Sequence, residues 1–432
     1  MKAKRIVLAT HGTLGDLHPY LAIALELRAR GHQPVIATSE YYRRKVEAKG
    51  LEFYPLRPDF SFDDKELHWR FIEPKRGLER VIREFIFPAL RESYEDLSAV
   101  VMKDGGADLL ISHILIFAAP LLAEKTGIHW VSTELQPGAF MSVYDPPVLA
   151  PLPALAKLRG LGPAFHRPVF QFAKWVGHSW SEPVRALRKE LGLSPGLDPL
   201  FDARNSPHLV LALFSGVIGD PQPDWPKNTL VTGFPFYDED DLHLTPELLD
   251  FLNDGEPPIV FTLGSSVVWA AENFYDESVA AAVSLGKRAL LMVGEDPANQ
   301  RRELPPDIIS VNYAPYRQVF SRASIIVHQG GIGTTAQALR AGRPMLVVPC
   351  GGDQFDNAAR IQRLGVGLTV ARKRYNRDRT TALLKQLVAN PEYSEQAALA
   401  ARRIQEEDGV RAACDALEKS HETFEREQSL LV

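Results

Sequence analysis

The sequence predicts an α/β protein of two doubly wound domains facing each other across a cleft, and three observations carry that expectation. The chain has 432 residues, more than one hydrophobic core usually serves. Short apolar runs alternate with helix-length segments in both halves, the pattern of parallel sheets with crossover helices. A glycine-rich turn within residues 327–357 lies between a buried strand and a helix, the order that builds an anion site.

Composition narrows the class. An apolar content of 45% and a charged content of 24% are those of a globular chain. A net charge of -5 gives no general attraction to nucleic acid or to an anionic membrane. Cys350 and Cys414 are the two cysteines, too few for a disulfide framework, and they fit a reducing, cytoplasmic compartment. The apolar run after Arg5 meets His11 and Gly12 too soon for a signal peptide, and no run approaches the ~20 apolar residues of a membrane span.

In the first half, residues 5–10 read as a buried strand, 11–18 as a loop, and 19–30 as a helix begun by Pro19 and ended by Gly31. Leu21, Ala24, Leu25 and Arg28 give its inward stripe. Strands at 33–38, 51–56, 108–112, 129–133, 208–214 and 229–232 follow, with helices at 41–49 and 117–125. Two insertions, residues 59–104 and 134–207, hold an unusual density of rings, among them Phe60, Phe62, Phe85, Phe140, Tyr144 and Trp175. Singly, most such rings pack helices onto a sheet. As a group they suggest an apolar pocket, for which Phe85, Phe140, Tyr144 and Trp175 are the candidates, with membrane-surface contact as a lesser reading.

The acidic run ending at Asp241 reads as a solvated linker, which divides the chain into residues 1–235, 236–408 and a terminal helix 409–432 expected to cross back to the first domain. Asp238-Glu-Asp240 spells a metal-binding Asp-x-Asp, but no buried strand precedes it, and no metal site is expected.

The second half repeats the plan with strands at 259–263, 289–293, 308–311, 324–327, 345–349 and 367–370. Gly264, Ser265 and Ser266 form the first carboxyl-end loop, before a helix at 271–285. Gly330, Gly331 and Gly333 turn the chain tightly into a helix whose first turn holds Thr334 and Thr335, and whose free amides suit a diphosphate. Asp353 and Gln354 emerge beyond the next strand, where open α/β sheets bind ligands, and a helix is expected at 357–364. Carboxylate and amide suit sugar hydroxyls.

His328-x-Gly-Gly-x-Gly-Thr334, a helix, a strand and then Asp353-Gln354 closely resemble the donor signature of GT-B glycosyltransferases. The nearest likeness is to bacterial natural-product and sterol transferases related to UDP-glucuronosyltransferases. The resemblance implies two Rossmann-like domains, with the acceptor on the first and the nucleotide sugar on the second. His328 and the glycine turn would meet the diphosphate, Gly264 to Ser266 and Thr13 with Gly15 would flank it, and Tyr313, before Ala314 and Pro315, would stack on the base. Family members of the plant type carry a Glu where this chain has Ala336, which weakens strict UDP recognition and raises deoxythymidine diphosphate (dTDP) sugars.

The loop Gly12-Thr-Leu-Gly-Asp-Leu-His-Pro19 resembles the family's catalytic loop, with Asp16 in a seat many relatives fill with His. His113, at the end of the strand 108–112, lies about where relatives keep an aspartate, so a dyad with its members exchanged is the expectation. A histidine near about 6.5 accepts a proton from a hydroxyl more readily than a carboxylate near about 3.9. Asp16 as a helix cap, and His11 or His18 as the base or as loop-orienting residues, remain alternatives. The implied reaction is inverting, metal-free transfer of a hexose from a UDP- or dTDP-sugar to a hydroxyl of a phenolic, flavonoid, sterol or macrolide-like acceptor. The nucleotide sugar is a co-substrate, and no other cofactor is expected. The protein would be a monomer or homodimer without stable membrane insertion. An epimerase of the same fold, a lipid-acceptor transferase and a catalytically silent nucleotide-sugar-binding protein are the rival readings. The aromatic insertions argue against the epimerase and the Asp16 loop against the silent binder.

Overall fold

The computed structural model describes residues 3–59, 65–239, 242–300 and 303–431, so that Phe60, Phe62 and Asp240 lie outside the described residues. The first domain carries seven strands: β1 (Arg5–Ala9), β2 (Gln33–Thr38), β3 (Glu52–Pro55), β4 (Leu109–His113), β5 (His129–Glu134), β6 (Leu209–Ala212) and β7 (Thr229–Val231). They pair in the order β3-β2-β1-β4-β5-β6-β7, every pairing parallel. The second domain carries β8 (Ile259–Thr262), β9 (Ala289–Met292), β10 (Ile308–Val311), β11 (Ile325–His328), β12 (Met345–Val347) and β13 (Gly367–Thr369). Their order is β10-β9-β8-β11-β12-β13, again all parallel.

All five residues of β1 are buried, because helices cover both faces of a parallel sheet. Alternate residues serve opposite cores. Ile6 and Leu8 pack with Leu17, Leu21 and Leu27, whereas Val7 and Ala9 pack with Leu97, Val100 and Leu122. The second sheet is divided in the same way, with Val260 and Leu290 on one side and Phe261 and Leu291 on the other.

Four helices matter for the site: α1 (Leu14–Ala29) after β1, α2 (Ile332–Ala341) after β11, α3 (Gln354–Arg363) after β12, and the terminal α4 (Gly409–Leu431). The start of α1 departs from the sequence expectation, which put it at Pro19. Thr13 caps the helix by accepting from the Gly15 amide at 3.3 Å, and Asp16 Oδ2 accepts from the Thr13 amide at 2.7 Å. This reciprocal capping box stabilises a first turn ahead of the proline. The inward face differs too: Leu17, Tyr20, Leu21, Ala24 and Leu27 are buried, while Arg28 is exposed and donates to the carbonyls of Lys49 and Gly50, both at 2.7 Å.

The outer side of α1 is covered by α4, whose Cys414 and Leu417 enter the same core. Arg30 holds α4 through Asp415 at 2.6 Å and Glu418 at 2.8 Å, and His32 adds a contact to Glu418 at 3.0 Å. Among the described residues, no helix is long and apolar enough to cross a membrane.

A second tie between the domains is buried. Arg360 on α3, only 2% exposed, donates to Asp356 at 2.7 Å, to Asp145 of the first domain at 2.6 Å and to the Ile218 carbonyl at 2.9 Å. Asp356 also accepts from the Val148 amide at 3.0 Å. Removing the cation leaves two buried carboxylates short of a partner, and breaking a buried pair in this way costs about 3–5 kcal/mol. Asp145 keeps Arg159 and Arg363 nearby, which holds the loss toward the lower end. Arg360→Ala is therefore expected to lower the unfolding free energy by about 3 kcal/mol in a urea titration, and Arg360→Lys, which lacks the planar fork, to recover only part of it.

Candidate active site

Each sheet reverses its strand order once, between β1 and β4 in the first domain and between β8 and β11 in the second. At such a switch point the loops beyond the strands diverge and open a crevice. The two crevices face each other, and together they form a cleft of about 770 Å³. Its lining includes Thr13, Gly15, Asp16 and His113 from the first domain and Gly264, Ser265, Ser266, Tyr313, Gly331, Gly333, Thr334, Asp353 and Gln354 from the second.

Gly15 and Gly333 let the two helix starts meet. A Cβ on Gly333 would stand 3.5 Å from the Cα of Gly15, so backbone touches backbone across the cleft. The ends are not equivalent. The start of α1 is satisfied internally by Thr13 and Asp16. At α2 the cap is Gly331, which has no side chain to offer, so the amides of the first turn are available to a ligand.

Asp16 and His113 are brought together by the β1–β4 pairing, with Asp16 Oδ1 4.0 Å from His113 Nε2. Burial pushes Asp16 up to about 6, against the hydrogen bonds from Thr13 that hold it down. Burial pushes His113 down to about 3, so the ring is neutral, and its Nδ1 has no hydrogen-bond partner among the described residues. Asp16 thus performs the capping job and also faces the cleft. His11 does not line the cleft: its Nε2–H donates to the Arg57 carbonyl at 3.0 Å, and burial lowers its pKa to about 4. His18 does line it, its ring 4.9 Å from that of Tyr237.

Sequence reasoning missed Glu134. This residue ends β5, is fully buried, lines the cleft and has, among the described residues, no hydrogen bond to either carboxylate oxygen. Burial pushes it up to about 7, opposed by Arg204 at 3.7 Å. A charge closing an otherwise uncharged strand at the carboxyl edge was the available signal.

On the donor side, Gly264 to Ser266 open a short helix, Gly264–Val267, where a loop was expected. Gly264 has φ +65°, and a Cβ there would collide with the Gln329 side chain at 2.1 Å. Asp353 accepts from Asn357 at 2.7 Å and is pushed up to about 7, first by burial and then by Asp16 across the cleft. The Gln354 oxygen accepts from the amides of Cys350 and Gly351, at 2.9 and 3.2 Å, because α3 begins at Gln354. Tyr313 is 47% exposed, and its hydroxyl donates to Glu239, which also pairs with Lys45.

Four donor-side candidates stand behind the lining. His328 is fully buried, accepts from the Gly330 amide at 3.0 Å and holds the turn in shape, with its Nε2 unpartnered. Gly330 supplies the φ of +91° that the turn needs, and Ala314 and Thr335 are buried in the second domain. The four acceptor candidates do not line the cleft either. Phe85 packs on Phe71 and Phe140 stacks on Trp225 with ring centroids 4.1 Å apart, so both rings are used in packing. Tyr144 and Trp175 are exposed elsewhere, at 44% and 73%. The apolar wall of the cleft is instead Leu78, Ile114, Leu115 and Leu135, facing Phe234 to Tyr237. Asp238 is held by Arg340 at 2.6 Å and Arg317 at 3.1 Å, which leaves its carboxylate engaged.

Residues 6–143 match the Glycosyltransferase family 28 N-terminal domain, and residues 277–410 match the Erythromycin biosynthesis protein CIII-like C-terminal domain. An O-mycaminosyltylonolide 6-deoxyallosyltransferase of Streptomyces fradiae is 33% identical over 428 residues, covering 97% of this chain and 98% of the relative. The chain belongs to the natural-product and sterol GT-B glycosyltransferases. It is also 28% identical to a sterol 3-beta-glucosyltransferase of Saccharomyces cerevisiae (strain YJM789), spanning 96% of this chain but 35% of that longer protein. The fold is shared with the spinosyn forosaminyltransferase SpnP, at a TM-score of 0.72, 17% identity and coverage of 97% of this chain and 100% of that one. The glycosyltransferase VinC in complex with dTDP gives 0.68 and 18%, with coverage of 97% and 100%.

The raised carboxyls make this glycosyltransferase's stability pH-dependent in a definite direction. Below about pH 4 the carboxyls are protonated folded and unfolded alike. As pH rises from there to 7, the unfolded chain releases protons that the folded cleft retains, so these groups favour the native state less and less. Glu134→Gln removes one such group. Between pH 4.5 and about 7 Glu134 contributes a decline of about 3 kcal/mol. Melting curves taken across that range should fall less steeply for Glu134→Gln, and the variant should be the more stable protein at pH 8. Parallel curves for the two proteins would show that Glu134 ionises normally.

Proposed function

We propose that this enzyme transfers a hexose or deoxyhexose, with inversion and without a metal, from a dTDP- or UDP-sugar to a hydroxyl of a macrolide- or sterol-like acceptor. The observation that carries the reading is the Asp16–His113 pair at 4.0 Å, placed beside an uncapped helix start that abuts it through Gly15 and Gly333. The name of the 33%-identical relative supports a macrolide acceptor and a 6-deoxy sugar. The neutral alanine at Ala336 favours dTDP over UDP.

The diphosphate sits on the free amides of α2 and beside Thr334, and the sugar hydroxyls meet Asp353 and Gln354. Burial orders the dyad: ionised Asp16 is the stronger base, and neutral His113 is the weaker. The acceptor hydroxyl gives its proton to Asp16 Oδ1, and its oxygen attacks the anomeric carbon from the face opposite the phosphate. The anomeric C–O bond breaks as the new one forms. Its electron pair leaves on the diphosphate, where the α2 amides stabilise the added charge. His113 keeps the site dry and, through its Nε2, steadies the hydroxyl that Asp16 deprotonates. Of the two orders that the sequence leaves open, solvation favours Asp16 as the base, since burial penalises an imidazolium ion and strengthens a carboxylate as a base.

Incubation with dTDP- and UDP-hexoses and with macrolide, sterol and phenolic acceptors, in EDTA, is expected to give a product heavier by one hexose or deoxyhexose. kcat/KM should rise with pH through about 6, the value for Asp16. Asp16→Asn, which keeps an oxygen for the cap, should lower it by about 10²–10⁴ with little change in melting temperature. Full activity in Asp16→Asn, or turnover only after divalent metal is restored, would sink this mechanism.

A further inference from the structure

The helix Pro163–His178 is apolar on both sides. Its inner side seats His166, Phe170 and Gly177, which are buried. Its outer side presents Phe172 at 63% exposure, Trp175 at 73% and Val176 at 42%, with the Phe172 and Trp175 rings stacked at 5.8 Å. Their spacing puts them on one stripe of the helix, and the segment just before it adds Leu152 and Leu161, each 55% exposed. Large rings left this bare on one stripe of a helix mark a docking surface.

Charge identifies what docks. In a chain with more acidic than basic residues, 54 against 49, the stretch 146–181 contains no Asp or Glu and carries Lys157, Arg159, Arg167 and Lys174. Arg159 is committed to Asp145 and Lys174 to Asp202. Lys157 and Arg167 are exposed, and no ion pair is formed by either among the described residues. His178 pairs with Asp198 at 3.0 Å at the far end of the helix, and Asp145, the acid beside the near end, is taken up by Arg159 and Arg360. Exposed indole and phenyl rings flanked by uncompensated cations are what the headgroup region of an anionic bilayer holds. With 16 residues the helix is too short to span a bilayer, and it would lie in the surface plane.

We infer that the outer face of the helix Pro163–His178 docks this enzyme on an anionic lipid surface, through Phe172 and Trp175 inserted among the headgroups and through Lys157 and Arg167 beside the phosphates. This assignment stands apart from the transfer chemistry and does not depend on it.

Sedimentation of the full-length protein with sucrose-loaded vesicles tests it. Vesicles of phosphatidylcholine with phosphatidylglycerol should carry the protein down, phosphatidylcholine alone should do so about tenfold less well, and added salt should erase the difference. The double variant Phe172→Ser with Trp175→Ser should lose binding to both vesicles by about tenfold or more, with its melting temperature unchanged. Lys157→Glu with Arg167→Glu should lose only the preference for the anionic vesicles. Failure to sediment with either vesicle, or unaltered sedimentation of the serine variant, overturns the proposal. So does a self-association in analytical ultracentrifugation that the serine variant abolishes, without vesicle binding, since that would give the face to a second copy of the chain.

Discussion

The close approach of two helix starts across the cleft is the constraint on which the rest of the structure depends. Each start carries a partial positive charge, and bringing two together is unfavourable unless something negative lies near. Gly15 and Gly333 permit the approach sterically, and Asp16 and Asp353, at opposite sides of the cleft, supply the charge. The ends are then made different. Side chains consume the donors of α1, and the bare Gly331 leaves those of α2 free. One end is fixed as scaffold for a carboxylate, and the other keeps amides that no side chain caps.

The same crowding explains why the carboxyls of the cleft resist ionisation. Asp16, Asp353 and Glu134 are all buried, and each is pushed upward mainly by loss of water. A phosphate at the α2 end, as the proposed function requires, would add negative charge to a space that already disfavours it, so the amides and Thr334 would have to outweigh the carboxylates. In the proposed function that balance would favour binding where the donors converge and would leave Asp16, on the other helix, as an unneutralised base.

Much of this was legible in the sequence, for reasons that differ by residue. The second domain's turn was readable because Gly330, Gly331 and Gly333 are required by backbone geometry, which is local. The pairing of Asp16 with His113 was readable once the alternation of strands implied that β1 and β4 are neighbours, since both residues follow or end those strands. The start of α1 was misjudged because Pro19 is a strong punctuator, although Thr13-x-x-Asp16 is itself a capping box. The acceptor wall was not legible. Whether a ring lines a cleft or fills a core is decided by tertiary packing: Phe140 found Trp225, Phe85 found Phe71, and the cleft drew its wall from Leu115 and Leu135 together with other rings, Phe234, Phe236 and Tyr237 among them. Glu134 escaped notice because a lone carboxylate has no spacing to betray it.

The two domains are joined by contacts of unlike kinds, and the difference assigns them unlike roles. Behind the cleft, Arg360 is buried between Asp145 and Asp356 and donates to both, and α4 lies along α1 as a strap from the second domain to the first. Such contacts break only at large cost and act as the fixed side of the joint. At the cleft mouth, Lys45, Glu239 and Tyr313 form a chain from the first domain through the linker to the second, and Tyr313 is nearly half exposed. The chain's central carboxylate, Glu239, is buried at 8% exposure, and the Tyr313 end is the part open to water. In the proposed function a nucleotide base seated on Tyr313 would compete with its hydrogen bond to Glu239, so donor binding would act on the mouth of the cleft while Arg360 and α4 hold the back.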